Sequence, residues 1–256
     1  MDCGSINSSK YFTLLGIRFF NGELSEAIKL IKRGGLLTAP SGPGLAQDLP
    51  NSPEYERALS RSDLILADSG LLSLWAKFFE QTNLKRISGL VFLEAFLNRG
   101  NIDGKSSFWV MPDMKQAAQN VWWLKNEFNI GIPESNIYVA PVYTSTGALE
   151  DFSLLKSIEK KKPKYIFIQI GGGVQERLGH FIKASLSYSP SIICTGAAIA
   201  FLSGCQKRIP RWVDNLFLGW LWRCIDNPKI FIPRYLRAFN LVFLLCKYRN
   251  KSPREK

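Results

Sequence analysis

Short apolar segments alternate with amphipathic ones along most of the chain. The apolar segments have the length of buried strands, and amphipathic ones such as Glu23–Arg33 repeat their apolar positions with helical spacing. This alternation is typical of βα units, so we predict an α/β fold: a Rossmann-like, largely parallel sheet flanked by helices. The predicted strands are Tyr11–Phe19, Gly35–Ala39, Leu64–Ala67, Phe108–Met111, Ile137–Ala140, Tyr165–Ile170 and Ile192–Cys194. The main predicted helices are Leu71–Phe79, Met114–Phe128 and Gln175–Ser187.

Polar and glycine-rich turns follow several of these predicted strands. In an open α/β fold, ligands bind at the edge of the sheet where the carboxyl ends of the strands meet. Asp68 ends the strand Leu64–Ala67 and could accept a proton from a hydroxyl nucleophile there, although it could equally be a structural helix cap. The loop of residues 40–44, a strand-to-helix turn with two prolines and two glycines, could line the same crevice or be a stiff surface loop without a ligand.

A run of three glycines, Gly171 to Gly173, lies between a predicted strand and a predicted helix. Glycines let a ligand approach the backbone closely, and the N–H groups at a helix start attract phosphate. Glu176 stands where a dinucleotide fingerprint has its third glycine, and no Gly-Lys-Ser/Thr follows. The segment is therefore either another kind of phosphate-binding turn or a plain tight turn, and a Rossmann-type oxidoreductase is disfavoured.

The charge of the chain is concentrated at one end. The 256 residues have a formal net charge of +12, which indicates a polyanionic partner such as nucleic acid, a membrane surface or a phosphorylated substrate. Residues 205–256 contain twelve Lys and Arg but three acidic residues, and so carry nine of these charges. We therefore predict two parts: an α/β domain, residues 1–204, and a basic, aromatic-rich helical appendage, residues 205–256. One histidine and five scattered cysteines provide no zinc-binding spacing, and no metal site is expected.

Arginines alternate with large aromatic residues in the appendage. Aromatic rings favour the headgroup zone of a membrane, and each basic residue near an anionic leaflet contributes about 1 kcal/mol. No apolar run reaches the roughly 20 residues of a spanning helix, but Leu241–Cys246 could lie in the membrane interface as part of a helix. We expect a peripheral membrane protein. Helices that pack their tryptophans into the core, or a tail that stacks on nucleic acid, are the alternatives.

The order of these motifs resembles that of the WecG/TagA/CpsF family of bacterial glycosyltransferases, over about residues 15–235. Each motif is weak alone, and the resemblance depends on five of them occurring in the right order. Ala67-Asp68-Ser69-Gly70 matches the family's Ala-Asp-Gly, and Arg86-Ile87-Ser88-Gly89 matches its basic-residue/Gly segment. Residues 171–176 match its Gly-x-Pro-x-Gln-Glu in part, and residues 196–204 match its Gly-Ala stretch. The family's Arg-Ala-Pro-x-Trp … Glu-Trp-x-x-Arg signature is matched by Arg208-Ile209-Pro210-Arg211-Trp212 followed by Trp220-Leu221-Trp222-Arg223.

The resemblance implies a hexosyltransferase that inverts the anomeric centre without a metal or other cofactor. Its donor would be a UDP-sugar, commonly an N-acetylhexosamine or its uronic acid. The acceptor would be a polyprenyl-diphosphate-linked saccharide at the cytoplasmic face of the cell membrane, in the assembly of cell-wall or surface polysaccharide. The expected partners are these two substrates and the anionic membrane surface, with no nucleic acid; a homo-oligomer is compatible with this function.

The resemblance also assigns roles by position. Asp68 would be the base that activates the acceptor hydroxyl. Without Mg²⁺, guanidinium groups must offset the charge that develops on departing UDP, and Arg211, Arg223 and Arg234 of the appendage would supply them. The residues expected to bind the donor nucleotide are Thr38, Ser41, Arg86, Gly171, Gly172, Gln175 and Glu176.

Four positions depart from the family's pattern and leave the donor sugar open. In the first loop, Pro40 and Ser41 occupy the region where the family has an Asn, and in the glycine run Gly173 replaces a Pro. In the later Gly-Ala stretch, Ala200 precedes Phe201 where the family has a Phe-Asp pair, and Gly219 replaces the Glu before the tryptophan of the C-terminal signature. The alternative from another class is a non-catalytic nucleotide- or nucleic-acid-binding protein whose basic tail contacts phosphates.

Overall fold

The computed structural model describes residues 10–99, 102–207, 210, 212–213 and 218–255, without the side chains of Ile230 and Arg234. The strands are β1 (Tyr11–Leu14), β2 (Ile17–Phe20), β3 (Gly35–Thr38), β4 (Leu64–Ile65), β5 (Ser107–Met111), β6 (Ile137–Val139), β7 (Tyr165–Ile168) and β8 (Ser191–Cys194). The helices are α1 (Leu24–Ile31), α2 (Gly42–Asn51), α3 (Pro53–Ser60), α4 (Gly70–Phe79), α5 (Gly89–Arg99), α6 (Met114–Phe128), α7 (Phe152–Lys161), α8 (Val174–Ser185), α9 (Ala198–Ser203), α10 (Gly219–Asp226), α11 (Pro228–Ala238) and α12 (Asn240–Tyr248).

Six of the strands form one parallel sheet in the order β4-β3-β8-β7-β5-β6. Its central strands are buried on both faces, which explains why they are continuous apolar runs in the sequence. Alternate residues serve opposite faces: Trp109 and Phe167 stack 4.0 Å apart under α5 and α6, whereas Phe108 and Ile166 pack under α7 and α8. The predicted α/β fold with a parallel sheet flanked by helices is confirmed.

The segment predicted as one strand, Tyr11–Phe19, is instead an antiparallel hairpin of β1 and β2. Leu15 and Gly16 connect the strands with φ of 52° and 73°, the left-handed conformation that a tight two-residue hairpin turn requires. The sequence did not reveal this turn, because Gly16 is a single glycine inside an apolar run. The hairpin meets the sheet through a parallel bridge between Phe20 and Leu66, next to β4.

The strand-to-helix turn predicted at residues 40–44 joins β3 to helix α2, which begins at Gly42 within it. Ser41 caps this helix, since its Oγ accepts a hydrogen bond from the Gly44 N–H at 3.3 Å. Pro43 lies in the first turn, where its missing N–H costs no helical hydrogen bond. Pro40 therefore lies in the turn, and Gly42, Pro43 and Gly44 form the first residues of the helix.

One face of the last helix, α12, packs against the body of the protein. Leu241, Leu244 and Leu245 are at most 4% exposed and join a cluster that contains residues of β1, β2, α2 and α4. The suggestion that Leu241–Cys246 lies in a membrane interface is therefore wrong for these three leucines, because their apolar surface is buried against the N-terminal hairpin. Among the described residues, no helix is long and apolar enough to cross a membrane.

Two backbone hydrogen bonds fix the chain beyond α12 to the hairpin turn. The Leu15 N–H donates to the Arg249 carbonyl at 2.7 Å, and the Gly16 N–H donates to the Asn250 carbonyl at 3.1 Å. A side chain at Gly16 would lie 2.9 Å from Ser252 Cβ, so the close approach requires glycine. Helices α10 and α11 thus connect two fixed points, α9 at the sheet and α12 in the core.

Candidate active site

A cavity of about 1040 Å³ lies at the carboxyl ends of four strands. Ala39 follows β3, Asp68 follows β4, Gly171 follows β7 and Thr195 follows β8, and all four line it. Helices α4, α5, α6 and α9 supply further walls, and α10 and α11 contribute residues from the C-terminal segment. This is the position at which open α/β sheets bind ligands.

Asp68 lies on the cavity wall and is held by the start of helix α5. Its Oδ1 accepts a hydrogen bond from the Gly89 N–H at 3.0 Å, and its backbone carbonyl accepts one from Arg86 Nε at 2.9 Å. A Cβ at Gly89 would lie 3.2 Å from the Thr195 carbonyl, so glycine lets α5 begin close to β8. The two sequence motifs that contain Asp68 and Arg86 therefore form one structural unit, with both side chains facing the cavity.

The glycine turn after β7 forms the opposite part of the wall. Gly171 and Gly172 line the cavity and are exposed, so their backbone is accessible to a ligand. A Cβ at Gly172 would lie 3.8 Å from Ser41 Oγ, which brings the start of α2 next to this turn. Gly173 has a φ of 83°, which a proline cannot adopt. A proline here, as in the pattern that the sequence resembles, would require a different turn conformation.

Gln175 and Glu176 stabilise the glycine turn from behind. Gln175 Oε1 accepts a hydrogen bond from the Gly196 N–H at 2.7 Å, and its Nε2 donates to Glu176 at 3.1 Å. Glu176 in turn accepts a hydrogen bond from the Gly173 N–H at 2.7 Å. Burial raises the pKa of Glu176 to about 7, the hydrogen bonds to its carboxylate lower it, and the nearby charge of Asp48 raises it further.

Arg177 is a buried residue of the site that the sequence did not reveal. It is 3% exposed, and its guanidinium donates to the carbonyls of Gly173 at 3.0 Å, Gly147 at 2.7 Å and Thr144 at 2.7 Å. Burial lowers its pKa, while Asp48 and other nearby carboxylates raise it. An arginine in an amphipathic helix normally indicates an exposed face, so no sequence signal distinguished it. Arg177 therefore links the segment after β6, through the carbonyls of Thr144 and Gly147, to the glycine turn, through the carbonyl of Gly173.

Arg223 brings a cation from the C-terminal segment to the same cavity. Its guanidinium lies 4.6 Å from the centre of the Phe201 ring, and Nη1 donates to Tyr235 Oη at 3.4 Å. Its Nε is buried and has no hydrogen-bond partner in the described part of the chain. A buried donor without a partner costs about 1–3 kcal/mol, a cost that a hydrogen bond to a ligand in the cavity would remove. Arg223, Asp68 and Gln175 all line the cavity.

The other predicted site residues are not on the cavity wall. Thr38 is fully buried at the end of β3, and its hydroxyl donates to Ser62 Oγ at 3.3 Å. Glu176 is also buried behind the wall, as described above. Arg211 and the side chain of Arg234 lie outside the part of the chain that the structure describes. The structure therefore brings together Ser41, Asp68, Arg86, Gly171, Gly172, Gln175 and Arg223.

Comparison with known proteins gives one family and several relatives. The model of the glycosyl transferase WecG/TagA/CpsF family matches residues 12–255. An N-acetylglucosaminyldiphosphoundecaprenol N-acetyl-beta-D-mannosaminyltransferase of Bacillus subtilis is 25% identical over 235 residues, 87% of this chain and 88% of the relative. Proteins of the same name from Bacillus spizizenii and Staphylococcus aureus are 23% and 22% identical, over 83% and 84% of this chain and 82% and 85% of their own lengths.

We expect Glu176→Gln to reduce the pH dependence of stability. The ordinary pKa of 4.5 is raised to about 7 in the folded protein, so the folded state binds the proton more tightly than the unfolded state. Wild-type stability is therefore highest below the ordinary pKa, and up to about 3 kcal/mol is lost as the pH rises through 7. The variant keeps an acceptor for the Gly173 N–H and avoids this loss. Urea unfolding at about pH 5 and about pH 8 measures the difference.

Glu150→Gln, which changes an exposed carboxylate, is the control. Equal changes in unfolding free energy between the two pH values for wild type and Glu176→Gln would contradict the assignment of a buried, titrating carboxyl at this position.

Proposed function

Because the chain belongs to the WecG/TagA/CpsF family of glycosyltransferases, we propose that it transfers an N-acetylhexosamine, or its uronic acid, from a UDP-sugar to a polyprenyl-diphosphate-linked acceptor in bacterial surface polysaccharide assembly. Family membership confirms the resemblance drawn from the motifs. It also confirms that the chain is an enzyme of the hexosyltransferase class, and so decides against the non-catalytic alternative. The names of the three relatives support the acceptor class.

Asp68 is proposed to be the general base. The acceptor hydroxyl attacks the anomeric carbon, its proton passes to the Asp68 carboxylate, and the bond from the anomeric carbon to UDP breaks in the same inverting displacement. The support is geometric: Asp68 lies on the cavity wall, and the Gly89 N–H and the Arg86 side chain fix its position. The reaction ends with the sugar on the acceptor, the proton on Asp68 and the electron pair on UDP.

Arg223 is proposed to bind the diphosphate of UDP and to stabilise the charge that develops as it leaves. The observation that carries the proposed function is that this cation, from the far end of the chain, lines the same cavity as Asp68 and the glycine turn. Its buried Nε has no partner among the described residues and would donate to a phosphate oxygen. Arg211 and Arg234 remain proposed contributors from the same segment, and no metal ion is proposed to take part.

The donor nucleotide is proposed to lie along the glycine turn. Ser41, Arg86, Gly171 and Gly172 line the cavity and would contact it directly. Gln175 lines the cavity too, but its side chain already bonds Gly196 and Glu176, so it holds the turn in place. Thr38 and Glu176 are buried and do not line the cavity. We propose that they hold in position the ends of β3 and β7, from which the residues that contact the donor extend.

Residues 205–256 are proposed to act as an appendage that binds the cytoplasmic face of the membrane, with residues 1–204 as the nucleotide-sugar-binding domain. The support is a set of exposed apolar side chains on α10 and α11 close to basic residues in sequence. Because α12 packs into the core, the appendage is anchored by its own last helix. The exposed apolar residues on these two helices are Trp220, Leu221, Ile225, Ile232 and Leu236.

Asp68→Asn is expected to abolish sugar transfer while leaving UDP binding intact. The amide keeps an oxygen that can accept from the Gly89 N–H, but it cannot take a proton, so we expect kcat to fall at least about 100-fold. Transfer from UDP-N-acetylhexosamines to N-acetylglucosaminyl-diphosphate-polyprenol, followed by product chromatography, measures kcat. Calorimetric titration with UDP checks binding.

Asp151→Asn is a control at a carboxylate outside the cavity; Asp151 caps α7 and accepts hydrogen bonds from two tyrosines. It should leave kcat near the wild-type value, at some cost in stability. An undiminished kcat in Asp68→Asn would remove Asp68 from the mechanism.

Substitution of Ile225, Ile232 and Leu236 by Ser is expected to weaken binding to anionic vesicles by about tenfold, because these exposed side chains would enter the lipid interface. Substitution is preferable to truncation, which would expose the core beneath α12. Flotation with phosphatidylglycerol vesicles measures the bound fraction. Met114→Ser with Phe152→Ser, at exposed positions on α6 and α7, is the control. Undiminished flotation of the triple variant would place membrane binding elsewhere.

A further inference from the structure

The two ends of the cavity differ in chemistry. Towards α5 and α6 its lining includes the polar side chains of Glu94, Asn98 and Glu127. Towards α4 and the junction of α11 with α12, apolar side chains predominate on the wall, and the hydroxyl groups of Ser69 and Tyr235 are the polar ones there. The apolar lining residues at this second end are Leu71, Leu74, Ala238, Phe239 and Leu241.

At the apolar end the cavity reaches the surface. Leu74 and Phe239 both line it, and they are 36% and 63% exposed. Phe78 lies four residues beyond Leu74 on α4 and is 67% exposed, and Phe243 lies four residues beyond Phe239 and is 59% exposed. Because residues four apart share one face of a helix, each pair forms an apolar strip that leads outward from the cavity. We refer to Leu74, Phe78, Phe239 and Phe243 as the apolar rim.

Basic side chains accompany the rim. Lys77 Nζ lies 5.8 Å from the centre of the Phe78 ring, and Lys247 Nζ lies 5.8 Å from the centre of the Phe243 ring. Exposed Phe and Leu side chains with lysines beside them are typical of helices that lie in a membrane interface. Exposed apolar side chains clustered at the mouth of a cavity also indicate a partner that covers them.

We propose that the apolar rim binds the first isoprene units of the acceptor's polyprenyl chain as it leaves the cavity; this rests on the proposed function. A hydroxyl placed at Asp68 is linked through its sugar and diphosphate to the lipid, so the lipid must exit the same cavity. The end at α4 and the α11–α12 junction suits a hydrocarbon chain better, because the other end carries the carboxylates of Glu94 and Glu127. The rim thus guides a lipid-linked substrate from the bilayer to the base, and it selects for lipid-linked over water-soluble acceptors.

The first test needs no catalysis. A polyprenyl diphosphate that carries a photoreactive group on its first isoprene unit is incorporated into neutral phosphatidylcholine vesicles, irradiated with the full-length protein, and the labelled peptides are mapped. Labelling of α4 and of residues 239–243 is the expected result. Labelling confined to the outer faces of α10 and α11 would overturn the proposal, because the chain would then contact the membrane-binding surface instead.

The second test compares acceptors with a long polyprenyl chain and with a short, water-soluble alkyl chain. Phe78→Ser with Phe243→Ser should lower the ratio of kcat/KM for the long-chain acceptor to that for the short-chain acceptor by about tenfold. Phe152→Ser, which removes an equally exposed phenylalanine from α7, should leave the ratio unchanged. A ratio in the double variant equal to that of wild type would overturn the proposal.

The two tests separate failure of the rim from failure of the proposed function. A protein labelled at the rim that transfers no sugar would contradict the function and leave lipid binding by the rim in place. A protein that transfers sugar but is labelled elsewhere, with an unchanged ratio, would contradict the rim and leave the function in place.

Discussion

The attachment of the chain's C-terminal segment to the N-terminal hairpin is the constraint on which the site depends. The hydrogen bonds from Leu15 and Gly16 and the buried leucines of α12 hold this segment against the body of the protein. The preceding helices, α10 and α11, must then run from α9 at the sheet to the start of α12. Both supply residues to the cavity wall, and α10 brings Arg223 to the strand ends. The proposed mechanism requires that arrangement, because its base and its cation come from opposite ends of the sequence.

A second layer of buried polar residues keeps the other side of the cavity in place. Gln175, Glu176 and Arg177 are each at most 3% exposed, and between them they bond the glycine turn, the turn after β8 and the segment after β6. Burial of such groups is costly unless they are hydrogen-bonded, and these are. Because burial raises the pKa of Glu176 to about 7, the negative charge beside a loop proposed to hold phosphates is weakened.

The sequence predicted the sheet well because its strands are buried on both faces and read as continuous apolar runs. Features set by tertiary contacts were harder to predict. The hairpin turn at Leu15 and Gly16 lay inside an apolar run, and the strand-to-helix turn of residues 40–44 did not reveal at which residue helix α2 begins. The resemblance to the family assigned Asp68 and Arg86 to one crevice. Arg177 had no such signal, because two of the three carbonyls that it bonds, those of Thr144 and Gly147, come from a distant segment.

The central claim is that Arg223 meets the diphosphate of the donor, and calorimetric titration with UDP tests it most directly. Arg223→Gln should weaken UDP binding by about 10- to 100-fold, the loss expected for a charge-assisted hydrogen bond, without changing the affinity for uridine. Arg237→Gln, at an exposed position on α11, should bind UDP like wild type. Equal UDP affinity in wild type and Arg223→Gln would contradict the account.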